Sequence, residues 1–333
     1  RARVVGLGSP PGWNWSIEHR ALARIGAELD VRECRSDADL ADALSAADVV
    51  LSHHTVPITN DAISRASRLR AVVVCGTGFD HVDVDAAAGR GIAVANVPDY
   101  CTEEVSDHAL ALLLALNRKL PNLTSLVRAG RWDDLGAHPL RRLRGQVLGL
   151  YGFGKIARRL AAKAAPLGLQ MIAFDPYVSW DEIASAGVEP AGDFEALLEP
   201  SDYVSLHAQL TSETHRIVGA QTFARMKEGS FLVNCSRGEL VDETALYDAL
   251  SDGHLGGAAL DVLDEEPMDP SNPLLRLDNV IVTPHAAWWS EESEEELHEK
   301  SAYAVVEVLG GRPPPHLVNT AMQSFWWVAE KGA

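Results

Sequence analysis

Four polar residues in the second half of the chain each follow a short apolar run: His207 after "YVSL", Arg237 after "FLVNCS", Asp261 after "GGAAL" and His285 after "VIVTP". An imidazole titrates near neutrality and can pass a proton, while a guanidinium presents a planar fork that grips a carboxylate through two hydrogen bonds. Ahead of them, "VLGLYGFGKIA" matches G-x-G-x-x-G/A at Gly152, Gly154 and Ala157, directly after an apolar run and directly before the helical "KIARRLAAKAAPLG". In that setting the first glycine permits a tight turn and the second lets backbone N–H groups reach a pyrophosphate. The small third residue lets helix and strand approach. Gly152, Phe153, Gly154, Lys155 and Ile156 are therefore expected against a dinucleotide. Asp175 lies 18 residues beyond Ala157, near the spacing expected for the acid that takes the ribose hydroxyls. It repels a 2′-phosphate, and Pro176 and Tyr177 offer no cation to hold one, so the expected cofactor is NAD and not NADP.

Elements must place these groups together. The first hundred residues alternate β-type runs ("RVVGLG", "DVRECR", "DVVLSHH", "RAVVVCG", "GIAVANV") with helical patterns such as "HRALARIGAEL" and "ADLADALSAA". A second alternating series runs through "GQVLGLYGFG", "LQMIAFDPY", "DYVSLHAQL", "SFLVNCSRG", "GGAALDV" and "NVIVTPHAAW". Such alternation predicts two doubly wound α/β units with parallel sheets, joined near Pro98 to Thr102. His207, Arg237, Asp261 and His285 then sit at the carboxyl ends of strands, the edge at which open parallel sheets bind ligands. Any one alone reads as a loop or turn residue; four at one edge, on the unit carrying the glycine loop, read as a site. Between the units, "CTEEVSDHALALLLALNRKLP" predicts a long helix, with Thr102 as N-cap, Glu103 and Glu104 at the positive end of its dipole and Arg118 and Lys119 at the negative end. Its run Ala109 to Leu116 is apolar on every face, which predicts burial between domains or subunits. The tail "SEESEEELHEKSAYAVVEVL" reads as a helix with an acidic first turn.

The 333 residues are 47% hydrophobic, enough to fill two cores. A net charge of −18 repels phosphate backbones and argues against nucleic-acid binding. The apolar run of the long helix is far shorter than the roughly 20 residues of a membrane span, and no export signal is evident at the N-terminus, so no membrane partner and a cytoplasmic location are expected. Four scattered cysteines, Cys34, Cys75, Cys101 and Cys235, form no metal-binding or dithiol pair and are expected as free thiols, with no metal.

Taken in order, "GFDHVDVDAAAGRGIAVANVPDYCTEEVSDHALALLLALNRK", the glycine loop, "NCSRGELVDETAL", "GAALDVLDEEP" and "TPHAAWWSEE" resemble the D-isomer-specific 2-hydroxyacid dehydrogenase family. "NVPDYCTEEV" and "PHAAWWSEE" are most similar to its branch containing the C-terminal-binding proteins. The resemblance implies a catalytic triad at Arg237, Glu266 and His285. It further implies a Rossmann NAD domain (100–290) inserted into a flavodoxin-like substrate domain (1–99 and 291–333), and a homodimer built on the long helix. By the same resemblance Thr102, Cys235 and Asp261 join His207 and Asp175 around the cofactor.

The implied reaction interconverts a 2-oxo acid and a D-2-hydroxy acid. His285 is expected to move the proton, with Glu266 aligning its ring and favouring the imidazolium, and Arg237 to hold the substrate carboxylate and carbonyl oxygen. Backbone N–H groups of Cys75, Gly76, Thr77 and Gly78 are expected on the rest of the carboxylate. Val74 stands where many relatives of the closest branch carry an arginine. With Trp288 and Trp289 just beyond His285, this suggests an apolar or aromatic substrate side chain against Trp288. Two alternatives use the same fold: an NAD(H)-sensing corepressor, disfavoured by the lack of a Pro/Ser-rich recruiting tail, and a phosphite or formate dehydrogenase. Formate enzymes are expected to carry Gln at Glu266, and no added cation flanks the Gly76 loop for phosphite.

Overall fold

The computed structural model describes residues 1–10, 12–133 and 139–322. The last part of the expected 291–333 segment, residues 323–333, lies outside them. The chain divides into two compact units: Arg1–Tyr100 together with the chain from Ser290 onward, and Cys101–Trp289.

The first unit is built on five parallel strands, β1 (Arg3–Leu7), β2 (Glu28–Arg32), β3 (Val49–Ser52), β4 (Ala71–Val74) and β5 (Ala93–Ala95). Their order, β2-β1-β3-β4-β5, is the flavodoxin-like arrangement. Central strands β3 and β4 are buried on both faces and read as unbroken apolar runs, as parallel strands between helices must. Edge strand β2 begins two residues before "DVRECR", pairing Glu28 with Arg3 and ending at Arg32. It is covered on one side only, its residues are half-exposed or exposed, and its sequence carries no periodicity to fix the register. Val74 closes β4 with 1% of its surface exposed and joins a core of Val5, Leu7, Val50, Val72 and Val94. At that register its side chain faces the core, and position 74 lends the following turn no cation.

The chain returns to this unit at Ser290, whose side chain opens the helix Glu291–Leu309 with a capping box to Ser293. That helix packs on the helix Ser16–Arg24 and on β3 and β4, with His298 Nδ1 2.6 Å from Oε1 of the buried Glu18. Beyond it, Asn319 replaces a missing strand partner at the end of the sheet. Its Oδ1 accepts from Val94 N–H at 2.9 Å and its Nδ2 donates to the Ile92 carbonyl at 2.8 Å.

The second unit holds seven parallel strands: β6 (Val147–Tyr151), β7 (Gln170–Phe174), β8 (Glu189–Pro190), β9 (Tyr203–Leu206), β10 (Phe231–Asn234), β11 (Gly257–Leu260) and β12 (Val280–Val282). The order β12-β11-β10-β9-β6-β7-β8 reverses direction between β6 and β9, which creates a switch-point crevice at their carboxyl ends. Alternate residues feed opposite cores. Leu232, Ala258 and Leu260 join Leu206, Leu246 and Leu250 on one face, while Val233 and Ala259 join Leu113, Phe153 and Leu160 on the other.

The helix Thr102–Asn117 lies on that second face against β10, β11 and the helix Lys155–Ala164. Val105, Ala109, Leu112, Leu113 and Leu116 are buried within their own unit, so the expectation of burial between domains or subunits is corrected for this face. Cys101, not Thr102, is its N-cap, because the first helical bond runs from Val105 N–H to the Cys101 carbonyl and draws Thr102 into the first turn. Among the described residues no helix is long and apolar enough to cross a membrane.

Replacing Asn319 by Ala strands the buried Val94 N–H and Ile92 carbonyl, at about 1–3 kcal/mol for each unmet group. Thermal unfolding should show a clearly lowered Tm; an unchanged Tm would mean that the two groups find other partners.

Candidate active site

β6 leads directly into Gly152, whose φ of +86° places it in the left-handed region. A Cβ there would lie 2.7 Å from the His207 carbonyl carbon and from Ala208 N, so the glycine loop closes on the end of β9 only without a side chain. Phe153 is fully buried and gives only its backbone to the loop; its N–H donates to Asp175 Oδ2 at 2.8 Å. Asp175 Oδ1 accepts from Tyr177 N–H at 2.8 Å, which holds the carboxylate at the end of β7 beside the loop. Gly154 caps the helix Lys155–Ala164 without a side-chain bond, and a Cβ on it would meet nothing within 4 Å. Lys155 is exposed and Ile156 half-buried at that helix start, while Ala157 is fully buried against the sheet. Open space at Gly154, first-turn N–H groups without a side-chain acceptor and a fixed carboxylate at the next strand end are what a dinucleotide requires.

His207 continues from β9 with its N–H on the Tyr151 carbonyl at 2.7 Å and its Nε2 2.9 Å from Ser205 Oγ. Burial lowers its pKa from 6.5 to about 4, so the ring is neutral at physiological pH. Beyond β10, burial raises the Cys235 thiol above its ordinary range, with the charge of Asp261 adding to the effect. Asn234, fully buried, staples the following turn: its Oδ1 accepts from Ser236 N–H at 3.0 Å and its Nδ2 donates to the Arg237 carbonyl at 2.7 Å. Arg237 Nη1 donates to the Ser236 carbonyl at 2.7 Å. Gly238 then packs directly on the Leu263–Asp264 backbone, where any Cβ would overlap the Leu263 carbonyl.

The same Leu263 holds the loop's acid. Its N–H donates to Glu266 Oε1 at 3.1 Å, and Glu266 Oε2 lies 2.7 Å from His285 Nδ1. The turns after β10, β11 and β12 are thus tied side by side, and Arg237, Glu266 and His285 fall on adjoining loops. Asp261, with 2% of its surface exposed, ties the last of these. Its Oδ1 accepts from Thr283 Oγ1 at 2.5 Å and from Ala286 N–H at 3.0 Å, its Oδ2 from Ala287 N–H at 2.9 Å, and its carbonyl from His285 N–H at 2.7 Å. Both carboxylate oxygens therefore serve the loop that carries His285, a role the sequence reading did not assign to Asp261. His285 itself has φ +50°, which a residue with a Cβ adopts only when its surroundings enforce it. Trp288 is half-buried and Trp289 55% exposed just beyond.

Two residues of this network were not singled out from the sequence. Thr283 stands two places before His285, and His108 Nε2, from the helix Thr102–Asn117, lies 3.0 Å from Thr283 Oγ1. The available signal was an imidazole in the otherwise apolar stretch "HALALLLAL". Thr102 opens that helix and is half-buried. In the first unit, Cys75 is buried, which raises its thiol above the ordinary range, and its N–H donates to the Ser52 carbonyl at 2.8 Å. The Gly76 and Thr77 carbonyls accept from Val97 N–H and Asn96 Nδ2 at 3.0 and 2.7 Å, so the turn through Gly78 is braced from the segment after β5.

Comparison with known proteins agrees with this geometry. Residues 110–287 match the family model described as D-isomer specific 2-hydroxyacid dehydrogenase, NAD binding domain. The chain is 37% identical over 312 residues to the glyoxylate reductase of Korarchaeum cryptofilum, covering 91% of this chain and 93% of that one. It is 36% identical over 300 residues to the D-3-phosphoglycerate dehydrogenase of Methanocaldococcus jannaschii, covering 90% of this chain and 57% of that longer relative. Among solved structures, the D-lactate dehydrogenase of Aquifex aeolicus complexed with NAD and lactic acid is similar with a TM-score of 0.84 at 26% identity, over 97% of this chain and 98% of that one.

The lowered pKa of His207 has a consequence for stability. Above pH 6.5 neither folded nor unfolded chain protonates this ring, and its contribution is fully present; as pH falls from 6.5 to about 4 only the unfolded chain takes the proton, and stability is lost. The loss is on the order of 3 kcal/mol. His207→Gln should therefore flatten the fall of Tm between pH 6.5 and 4; an identical slope in both proteins would contradict the burial argument.

Proposed function

The chain belongs to the D-isomer specific 2-hydroxyacid dehydrogenase family, and from that premise we propose that it interconverts a 2-oxo acid and the corresponding D-2-hydroxy acid with NAD as cofactor. The observation that carries the reading is the 2.7 Å contact between His285 Nδ1 and Glu266 Oε2, on the sheet edge that also holds the glycine loop. A carboxylate only accepts, so Nδ1 carries a proton in this pair and Nε2 is the atom that exchanges one with substrate. Bound NADH supplies the hydride. In reduction His285 Nε2 gives its proton to the substrate's carbonyl oxygen; in oxidation it takes the hydroxyl proton. Glu266 fixes the ring and balances the imidazolium charge. Arg237 grips the carboxylate and the carbonyl oxygen through its fork, drawing electron density toward the oxygen that receives the proton.

For the cofactor, Gly152, Phe153 and Gly154 with the N–H groups of Lys155 and Ile156 take the pyrophosphate, and Asp175 the adenosine ribose. His207, Thr102 and Cys235 complete the cofactor's surroundings. Asp261 acts chiefly by shaping the His285 loop, with the nicotinamide as a second contact. The backbone of Gly76, Thr77 and Gly78 adds N–H donors for the substrate carboxylate, while Cys75, whose own N–H is committed to the Ser52 carbonyl, anchors the start of that turn. The similarity to an enzyme named glyoxylate reductase favours a 2-oxo monocarboxylate. Glutamate at position 266, where a formate enzyme is expected to carry glutamine, supports the same choice. A homodimer that uses the exposed side of the helix Thr102–Asn117 completes the proposal.

His285→Ala should lower kcat with a 2-oxo acid by about 10²- to 10⁴-fold, while NADH binding, followed by quenching of tryptophan fluorescence, changes little. Near wild-type turnover in this variant would remove His285 from the acid–base role. For Trp288, proposed to wall the substrate's side chain, Trp288→Ala should lower kcat/KM for an aromatic 2-oxo acid about tenfold and leave glyoxylate almost unaffected. Equal losses on both substrates would mean that the indole does not touch the side chain.

A further inference from the structure

His108 approaches Thr283 Oγ1 to 3.0 Å through Nε2, and the same nitrogen is 3.5 Å from Asp261 Oδ1. Thr283 has one hydroxyl proton, and the 2.5 Å contact to Asp261 Oδ1 uses it, since the carboxylate can only accept. Thr283 Oγ1 must therefore accept from His108, which places a proton on His108 Nε2. The direction of the chain follows: His108 donates to Thr283, Thr283 donates to Asp261, and Asp261 receives Ala286 N–H on the same oxygen and Ala287 N–H on the other. Thr283, Ala286 and Ala287 flank His285 on both sides, and His285 N–H is held by the Asp261 carbonyl. One carboxylate thus gathers the backbone on either side of a histidine whose φ is +50°.

Left without its donor, the Thr283 hydroxyl could rotate, and one of the bonds that orient the Asp261 carboxylate would lose its direction. We infer that His108 is a positioning residue for His285: from the helix Thr102–Asn117 it orients Thr283 and Asp261, and through them the backbone that aims the acid–base imidazole. The inference rests on the reading of His285 as that acid–base group. Its effect is on alignment more than on cofactor affinity, because the groups that take the pyrophosphate and the adenosine ribose, the glycine loop and Asp175, have no part in the relay. A helix-anchoring role alone would lower stability and leave turnover of the folded protein intact.

The test compares His108→Leu, which removes the donor, with His108→Gln, whose Nε2 offers an N–H at a similar reach. The Leu variant should lose about ten- to a hundredfold in kcat, with KM for NADH within about twofold of wild type, because only alignment is disturbed. The Gln variant should recover to within about threefold of wild type, since the donor is restored. Thr283→Val, which cuts the relay at its next link, should lose a similar factor, and adding His108→Leu to it should cost nothing more. Circular dichroism and NADH fluorescence titration establish that each variant is folded, and Thr283→Val carries the test if His108→Leu does not fold. Unchanged kcat in His108→Leu, a Gln variant as impaired as the Leu variant, or additive losses in the double variant would each overturn the inference. His285→Ala in the same assay separates the two readings. If it retains turnover, the acid–base assignment fails; if it is inactive while His108→Leu is fully active, only the role of His108 falls.

Discussion

A carboxylate with 2% of its surface exposed must have its charge met by hydrogen bonds, and at Asp261 those bonds come from the loop that bears His285. Unmet, a buried carboxylate is far costlier than a strained backbone torsion, so the loop conforms to Asp261. The left-handed conformation of His285 is the result: the residue occupies a region normally avoided because the groups on either side of it are already committed. Glu266 then has only to meet an imidazole that the backbone has aimed, and its second oxygen, bonded to Leu263 N–H, ties the pair to the neighbouring turn.

The rest of the second unit serves the same edge. Short parallel strands end in register, so one residue past β9 and β11 and three past β10 and β12 suffice to bring His207, Asp261, Arg237 and His285 to it. The loops lie close because two glycines sit where a side chain could not. Gly152 rests on the backbone at His207 and Gly238 on the backbone at Leu263, which joins the cofactor side to the switch point and the arginine turn to the Glu266 turn. Alternation of side chains along β10 and β11 buries one set of residues under each helical layer, and the edge is held rigid by both cores.

Much of this was legible in the sequence because the relevant signals are local. The glycine loop, Asp175 at its spacing and polar residues directly after apolar runs are features of a few consecutive residues, and the strands that lead to the glycine loop, His207, Arg237 and Asp261 are buried almost throughout. The misreadings share a cause, which is dependence on partners distant in the chain. The register of β2 is set by β1 alone, and Thr102 loses the cap position to Cys101 through a backbone bond that no side-chain preference encodes. Val74 was read from the cation that stands there in relatives, and that its side chain turns into the core follows only from its register at the end of β4. His108 and Thr283 are 175 residues apart, and only the fold makes them neighbours.

The central claim is that the chain reduces a 2-oxo acid with hydride from NADH and a proton from a fixed imidazole, within a family whose name specifies the D-isomer. The most direct measurement follows NADH oxidation with a panel of 2-oxo acids and determines the configuration of the product by chiral chromatography. The account predicts one D-2-hydroxy acid formed per NADH consumed for at least one chiral product, with NADPH a poorer donor. An L or racemic product, or no NADH consumption with any 2-oxo acid by a folded protein that binds NADH, would contradict it.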